Sequence, residues 1–183
     1  MQPLSSVVVG LLCCSIVGSS PSPAQSIVFS GGNYARTEEV TVLGFERTSE
    51  LPDRIAGNYE QLTSDSKEAG VPPPSFYVAY YDLQHNGEKD VFVRAENAIS
   101  CSANGQCQID LYARDDMGYR KIFSVIAQNI GLIASPTAPR NSYPILLTNI
   151  PVGQSFAERT LALDTSKVGA VWRWNGKSYE PAH

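Results

Sequence analysis

From Ser75 onward the chain is a succession of short β-prone runs broken by turn residues, and this restricts it to a mainly antiparallel β fold. The clearest runs are 76–83, 90–95, 108–114, 119–127, 131–134 and 143–147. Turn signals stand between them at His85-Asn86-Gly87, Asn104-Gly105, Met117-Gly118 and Pro139-Arg140-Asn141. Connections this short join antiparallel neighbours. The last unit, VWRWNGKSY from Val171 to Tyr179, reads as a hairpin. Its Asn175-Gly176 pair supplies the two positive φ angles of a type I′ turn. Trp172 and Trp174 share a face there, with Lys177 and Tyr179 across from them.

One helix precedes these strands. Leu51, Ile55, Tyr59 and Leu62 recur at helical spacing, with Ser49 placed to cap and Pro52 in the first turn, where proline is tolerated. Gly70 is a natural stop, and Pro72-Pro73-Pro74 forces extended backbone after it. Residues 39–45 read as a strand, and the Gly- and Ser-rich residues 25–35 as irregular. The expected fold is therefore α+β, mainly β: an antiparallel meander of short strands with one helix packed on it. Residues 25–48, an N-terminal segment with one strand, join 49–183 in a single domain.

Residues 1–24 have a different character. They carry no charged side chain, and the apolar run VVVGLLCCSIV from Val7 to Val17 is shorter than the about 20 residues a membrane-spanning helix needs. The run matches the hydrophobic stretch of a secretory signal, and Ser22-Pro23-Ala24 offers a small-x-small cleavage pattern. Cleavage after Ala24 and export to the periplasm or medium are expected, with no stable membrane span. Lipidation at Cys13 or Cys14 is disfavoured, because neither follows the small residue a lipobox requires.

Removal of that segment leaves two cysteines, Cys101 and Cys107, and an oxidising compartment makes a disulfide the default. The bridge encloses Ser-Ala-Asn-Gly-Gln, and its geometry is easy if the turn brings the Cα atoms to about 5.5–6 Å. A metal site on the same pair would need further ligands, and the only histidines are His85 and His183. The formal net charge of −4, with no basic run, argues against nucleic acid as a partner.

Candidate chemistry is sparse. Asp82, Gln84, Asn86 and Asp90 surround Gly87 in the order of oxygen ligands in a calcium loop. Two of the four are neutral amides, so the reading is a β-turn and no metal or other cofactor is expected. Gly153-Gln154-Ser155-Phe156-Ala157 has part of a nucleophile elbow but lacks the final glycine. Asp115-Asp116, beside Gly118, reads as a solvated turn. No catalytic residue is assigned. The strand aromatics Phe76, Tyr77, Tyr80, Tyr81, Trp172, Trp174 and Tyr179 read mostly as core.

Three segments together, DLQHNGEKD, CSANGQC and WRWNGKSY, carry a resemblance that spans Tyr81 to Tyr179. The chain resembles a loose group of uncharacterised bacterial periplasmic β-domain proteins. Their pattern is an Asp-x-Asn-x-Asp-Gly-like strand end, a Cys-Gly-Ser-Gly-Gly-Cys-like loop and a closing Trp-x-x-Gly-x-x-Tyr hairpin. Gln84, Asn86 and a longer loop with one glycine depart from it. The resemblance implies an envelope location and a β domain with a helix. The expected function is a non-enzymatic periplasmic interaction module for an envelope protein partner, such as an inhibitor or accessory factor. The alternative is a wall- or glycan-acting hydrolase using carboxylates that the sequence does not identify.

Overall fold

The computed structural model describes residues 25–29, 36–133, 142–150, 161–163 and 169–182. The proposed signal segment, Gly153–Ala157 and His183 lie outside them. Among the described residues twelve strands form two sheets. The strands are β1 (Gln25–Phe29), β2 (Arg36–Val42), β3 (Glu46–Thr48), β4 (Ser75–Tyr81), β5 (Asp90–Glu96), β6 (Cys107–Asp115), β7 (Gly118–Ala127), β8 (Ile130–Ile133), β9 (Ile145–Thr148), β10 (Leu161–Leu163), β11 (Ala170–Trp174) and β12 (Tyr179–Pro181). The fold is mainly antiparallel β with one short helical segment, the class the sequence implies.

The five-stranded sheet, β3-β4-β5-β6-β7, is a true meander in chain order. The other sheet runs β10-β1-β2-β8-β9-β11-β12 and contains one parallel pair, β1 with β10. Three strands lie where none was expected from sequence. β1 forms in a segment read as irregular, because it is completed by β2 and β10 rather than by its own propensity. β3 and β10 are three residues each, too short for an alternating pattern to register.

Strand alternation builds three apolar layers. Between the sheets lie Phe92, Ile109, Leu111, Phe123, Leu132 and Leu146, with Trp172 and Trp174 packed against them. β7 carries a bulge: Leu111 pairs with Phe123 but Tyr112 pairs with Lys121, so the extra residue Ile122 also enters this core. The outer face of the larger sheet gathers Val40, Ile133, Leu147 and Ile150. A Cβ on Gly131 there would crowd Ile150 Cδ1 and Val40 Cγ1, so a larger residue would force those side chains to shift.

The helix covers the remaining face of the five-stranded sheet. It comprises α1 (Asp53–Ala56), a 3₁₀ turn (Gly57–Tyr59) and α2 (Glu60–Glu68). Ile55 and Tyr59 are buried on Val78, Val91, Val93, Ala95 and Tyr112, as their spacing implies. The start differs from expectation. The first helical hydrogen bonds run from Ile55 and Ala56 N–H to Pro52 O, so the cap position falls at Pro52 rather than Ser49. The hydroxyl held ready nearby is that of Thr48, which instead closes a local turn with Glu50. Gly70, at φ +67°, ends the segment, with Val71 N–H reaching back to Ser66 O.

The final hairpin is also corrected in detail. Trp174 pairs with Tyr179 and Arg173 with Glu180, leaving Lys177 in the turn. Gly176 alone takes positive φ, +100°, at the first central position, as in a type II′ loop. Asn175 is spared because its side-chain oxygen accepts from Lys177 and Ser178 N–H and braces the turn from outside.

Candidate functional site: a trough along the helix

The site is built on an anchor that fixes the helix to the sheet. Asp110 lies mid-strand in β6 and is fully buried on the helix-facing side. Tyr59 Oη donates to its Oδ2 at 2.7 Å, Gln108 Nε2 donates at 2.8 Å, and Lys121 Nζ stands 3.9 Å away. Asp110 Oδ1 and Tyr112 Oη, both buried, have no hydrogen-bond partner among the described residues. Burial pushes the Tyr59 phenol far above its ordinary value, and the Asp110 charge adds to this. Burial likewise pushes Tyr112 up to about 12, opposed by the neighbouring Tyr59 hydroxyl. Both phenols therefore stay neutral, and Tyr59 remains a donor.

With Tyr59 fixed, the adjacent stripe of the helix looks sideways over the β3–β4 edge. Ala56, Glu60, Thr63 and Lys67 follow one another at spacings of four, three and four residues, which is one helical face. That stripe forms one wall of a cavity of about 490 Å³ whose other walls are Ser49, Leu51 and Phe76. A second cavity of about 520 Å³ continues it between Glu60, Thr63 and Lys67 on one side and Val71 and Pro73 on the other. The two share Glu60 and Thr63, so together they form one open trough along the helix. Phe76, whose ring centre is 5.0 Å from that of Tyr59, ties the floor to the anchor. Among the lining residues the charged groups are Glu60 and Lys67.

The residues singled out from sequence lie elsewhere. Asp82 Oδ1 and Oδ2 accept from Asn86 and Gly87 N–H, and Asn86 Oδ1 accepts from Glu88 N–H. Gln84 turns away to donate to Tyr143 Oη at 2.9 Å. Asp90 is buried and accepts from Leu83 and Arg114 N–H, one on each oxygen. Desolvation raises its pKa, partly offset by those two bonds. These side chains thus hold the loop's own backbone. His85 is exposed at φ +53° in that loop. Asp115 accepts from Met117 N–H within its turn, and Asp116 is exposed. Among the described residues no three His, Cys, Asp or Glu side chains cluster as a metal site would require, and no helix is long and apolar enough to cross a membrane.

Cys101 and Cys107 have their sulfurs 2.07 Å apart. Their Cα atoms are 3.9 Å apart, closer than the separation expected. They face each other as an antiparallel bridge, and non-hydrogen-bonded cross-strand partners approach to about 4.5 Å. Tyr179 of β12 is buried in the core as expected, while Trp172 and Trp174 of β11 are half-buried and pack against it. Trp172 meets Phe123 at 5.0 Å edge-on, and Trp174 meets Tyr143 at 4.3 Å. Tyr80 is the exception and is exposed.

Asp110 and the trough stripe escape a sequence reading. The one signal for Asp110 is its place in QIDLYA, where Ile109, Leu111 and Ala113 fill one face and the carboxylate sits among Gln108 and Tyr112 on the other. Comparison with protein-family models, with curated proteins and with solved structures finds no match.

Proposed function

We propose that this chain is an exported, non-enzymatic interaction module of the bacterial cell envelope, and that it binds a protein partner in the trough beside the helix. The trough carries the reading. It is open, runs across two adjoining cavities, and has Leu51, Phe76, Val71 and Pro73 as apolar lining. Shallow apolar grooves flanked by polar residues suit polypeptide contact. A hydrolase acting on wall glycan needs two carboxylates across one cleft. Glu60 is the single carboxylate among the lining residues, which favours binding. The apolar run from Val7 to Val17, followed by Ser22-Pro23-Ala24, supports export.

Site-specific photo-cross-linking tests this in living cells. A cross-linker at Thr63, in the trough, is expected to give a discrete adduct with one envelope protein. The same group at Arg173, exposed on β11, is expected to give none. Intact mass of the chain is expected to show an N-terminus at Gln25. Equal labelling from both positions, or no adduct at Thr63, rejects the trough as a partner site. A retained Met1 rejects export by cleavage.

A further inference from the structure

We infer that the occupant of this trough is an extended, basic segment of the partner, added to the five-stranded sheet as a sixth strand against β3. The inference rests on the module reading above and specifies its partner.

The backbone supplies the first argument. β3 pairs with β4 on one side, and among the described residues no strand lies on its other side. An open strand edge offers N–H and C=O groups in register for an incoming chain. Ser49 and Leu51, which follow β3 in the chain, line the first cavity, so the trough begins where this edge ends. Glu46 pairs with Val78 and Thr48 with Phe76, and cross-strand partners share a face. Val78 and Phe76 both belong to the layer beneath the helix, so Glu46 and Thr48 project to the trough side. β3 itself offers three residues, and the stripe continues beyond it. From Ala56 to Lys67 the stripe runs about 17 Å, the span of roughly five extended residues.

Charge supplies the second argument. Glu46, Glu50 and Glu60 are exposed on β3, on the segment joining it to the helix, and on the trough wall. Around them stand the cations Arg47, Arg54 and Lys67, with Lys67 in the trough lining itself. Two of those cations are directed away. Arg47 pairs with Tyr77 and takes the opposite face, while the Arg54 side chain packs beside Gly118 at the head of β7. Three exposed glutamates beside an apolar floor suit a strand that sets Lys or Arg against Glu46 and Glu60, and Val or Ile against Thr48 and Leu51.

Fluorescence anisotropy tests this with a short, amidated, dye-labelled probe in which Thr alternates with Lys and Val. A second probe has Glu for each Lys, and a third keeps the first sequence with N-methylated backbone amides. The protein is purified after expression of the full chain. The Lys probe is expected to bind saturably, and at least about tenfold more weakly as salt rises from low to physiological ionic strength. N-methylation, the Glu probe and the double change Glu46→Lys with Glu60→Lys are each expected to weaken binding by about tenfold or more. Thr63→Trp, which fills the trough from an exposed position, is expected to abolish it while leaving the melting curve in place. Binding that ignores N-methylation overturns strand addition, and binding that ignores charge overturns the basic partner. If Thr63 cross-links to an envelope protein but the Lys probe neither binds nor competes, the module reading holds and this inference fails. If the probe behaves as stated but no envelope protein cross-links, the inference about the surface holds and the module reading fails.

Discussion

Two neighbouring phenols under the helix sit in opposite hydrogen-bonding circumstances. Tyr59 donates to the buried Asp110 carboxylate, while the Tyr112 hydroxyl, equally enclosed, has the Tyr59 hydroxyl beside it but no well-aligned hydrogen bond among the described residues. A hydrogen bond to a charged group is worth about 1.5–3 kcal/mol, whereas an unpaired buried hydroxyl contributes only its desolvation cost. Tyr59→Phe is therefore expected to destabilise the protein by about 1.5–3 kcal/mol. Tyr112→Phe is expected to be neutral or stabilising by up to about 1 kcal/mol. Urea denaturation of both variants decides it, through a lowered midpoint at unchanged slope for the first alone. An equal loss in both would show that a shared partner, such as an enclosed water, serves the two phenols. From sequence, Asp110 falls on the parity of β6 opposite Ile109 and Leu111, which reads as the solvent face of a strand. It is buried because the helix lies over that face, a fact of tertiary packing that period-two alternation does not contain.

The loops and hairpins obey local rules more closely, and their predictions follow from single backbone angles and side-chain oxygens. Gly176 at φ +100° starts the two-residue turn between β11 and β12. Gly176→Val is expected to cost about 1–3 kcal/mol, since a β-branched residue is strained there. The thermal midpoint checks this, and an unchanged value would mean that the turn rebuilds around the new residue. In the β4–β5 loop, both Asp82 oxygens, both Asp90 oxygens and Asn86 Oδ1 already accept backbone N–H groups. Melting curves in millimolar calcium and in chelator are accordingly expected to coincide, because a ligand raises stability only if it binds the folded state. A calcium-dependent rise lost in Asp82→Ala would overturn this. The strands from β4 to β9 were legible because each alternates between two packed faces and ends at a turn residue. The turn type at Asn175 was not, since an Asx bond and a left-handed residue use the same amino acid.

At the scale of the molecule, the two-sheet arrangement was hidden because β-prone runs fix neither how strands distribute between sheets nor which edges meet. The helix and its apolar face were visible, yet the trough is a property of what stands beside the helix, namely Leu51, Phe76 and Pro73. Whole-chain electrostatics gives a further expectation. Burial raises the phenols of Tyr59, Tyr112, Tyr143 and Tyr179, with Tyr112 and Tyr143 pushed up to about 12. In the unfolded chain these groups ionise near 10. Between about pH 10 and 12 the folded state therefore holds more protons than the unfolded state, and stability falls as pH rises through that window. Denaturation midpoints are expected to hold steady from neutrality to about pH 9 and to drop beyond it, with a matching delay in phenolate absorbance until unfolding. Simple ionisation of every tyrosine near 10 in the folded protein would contradict this.

The two sheets also differ in when they can exist. The five-stranded sheet uses strands consecutive in the chain, whereas the larger one joins β1 and β2 to strands that follow β7. A chain threading through a translocon N-terminus first would present β1 and β2 long before β8 arrives to pair with β2. Meanwhile the meander, its helix and the Cys101–Cys107 bridge could already assemble. Newly emerged protein would thus pass through a half-built stage in which the β1–β2 pair still lacks β8 and β10 beside a finished sheet. That is the interval in which a holdase, or the wrong strand from another molecule, has its opportunity.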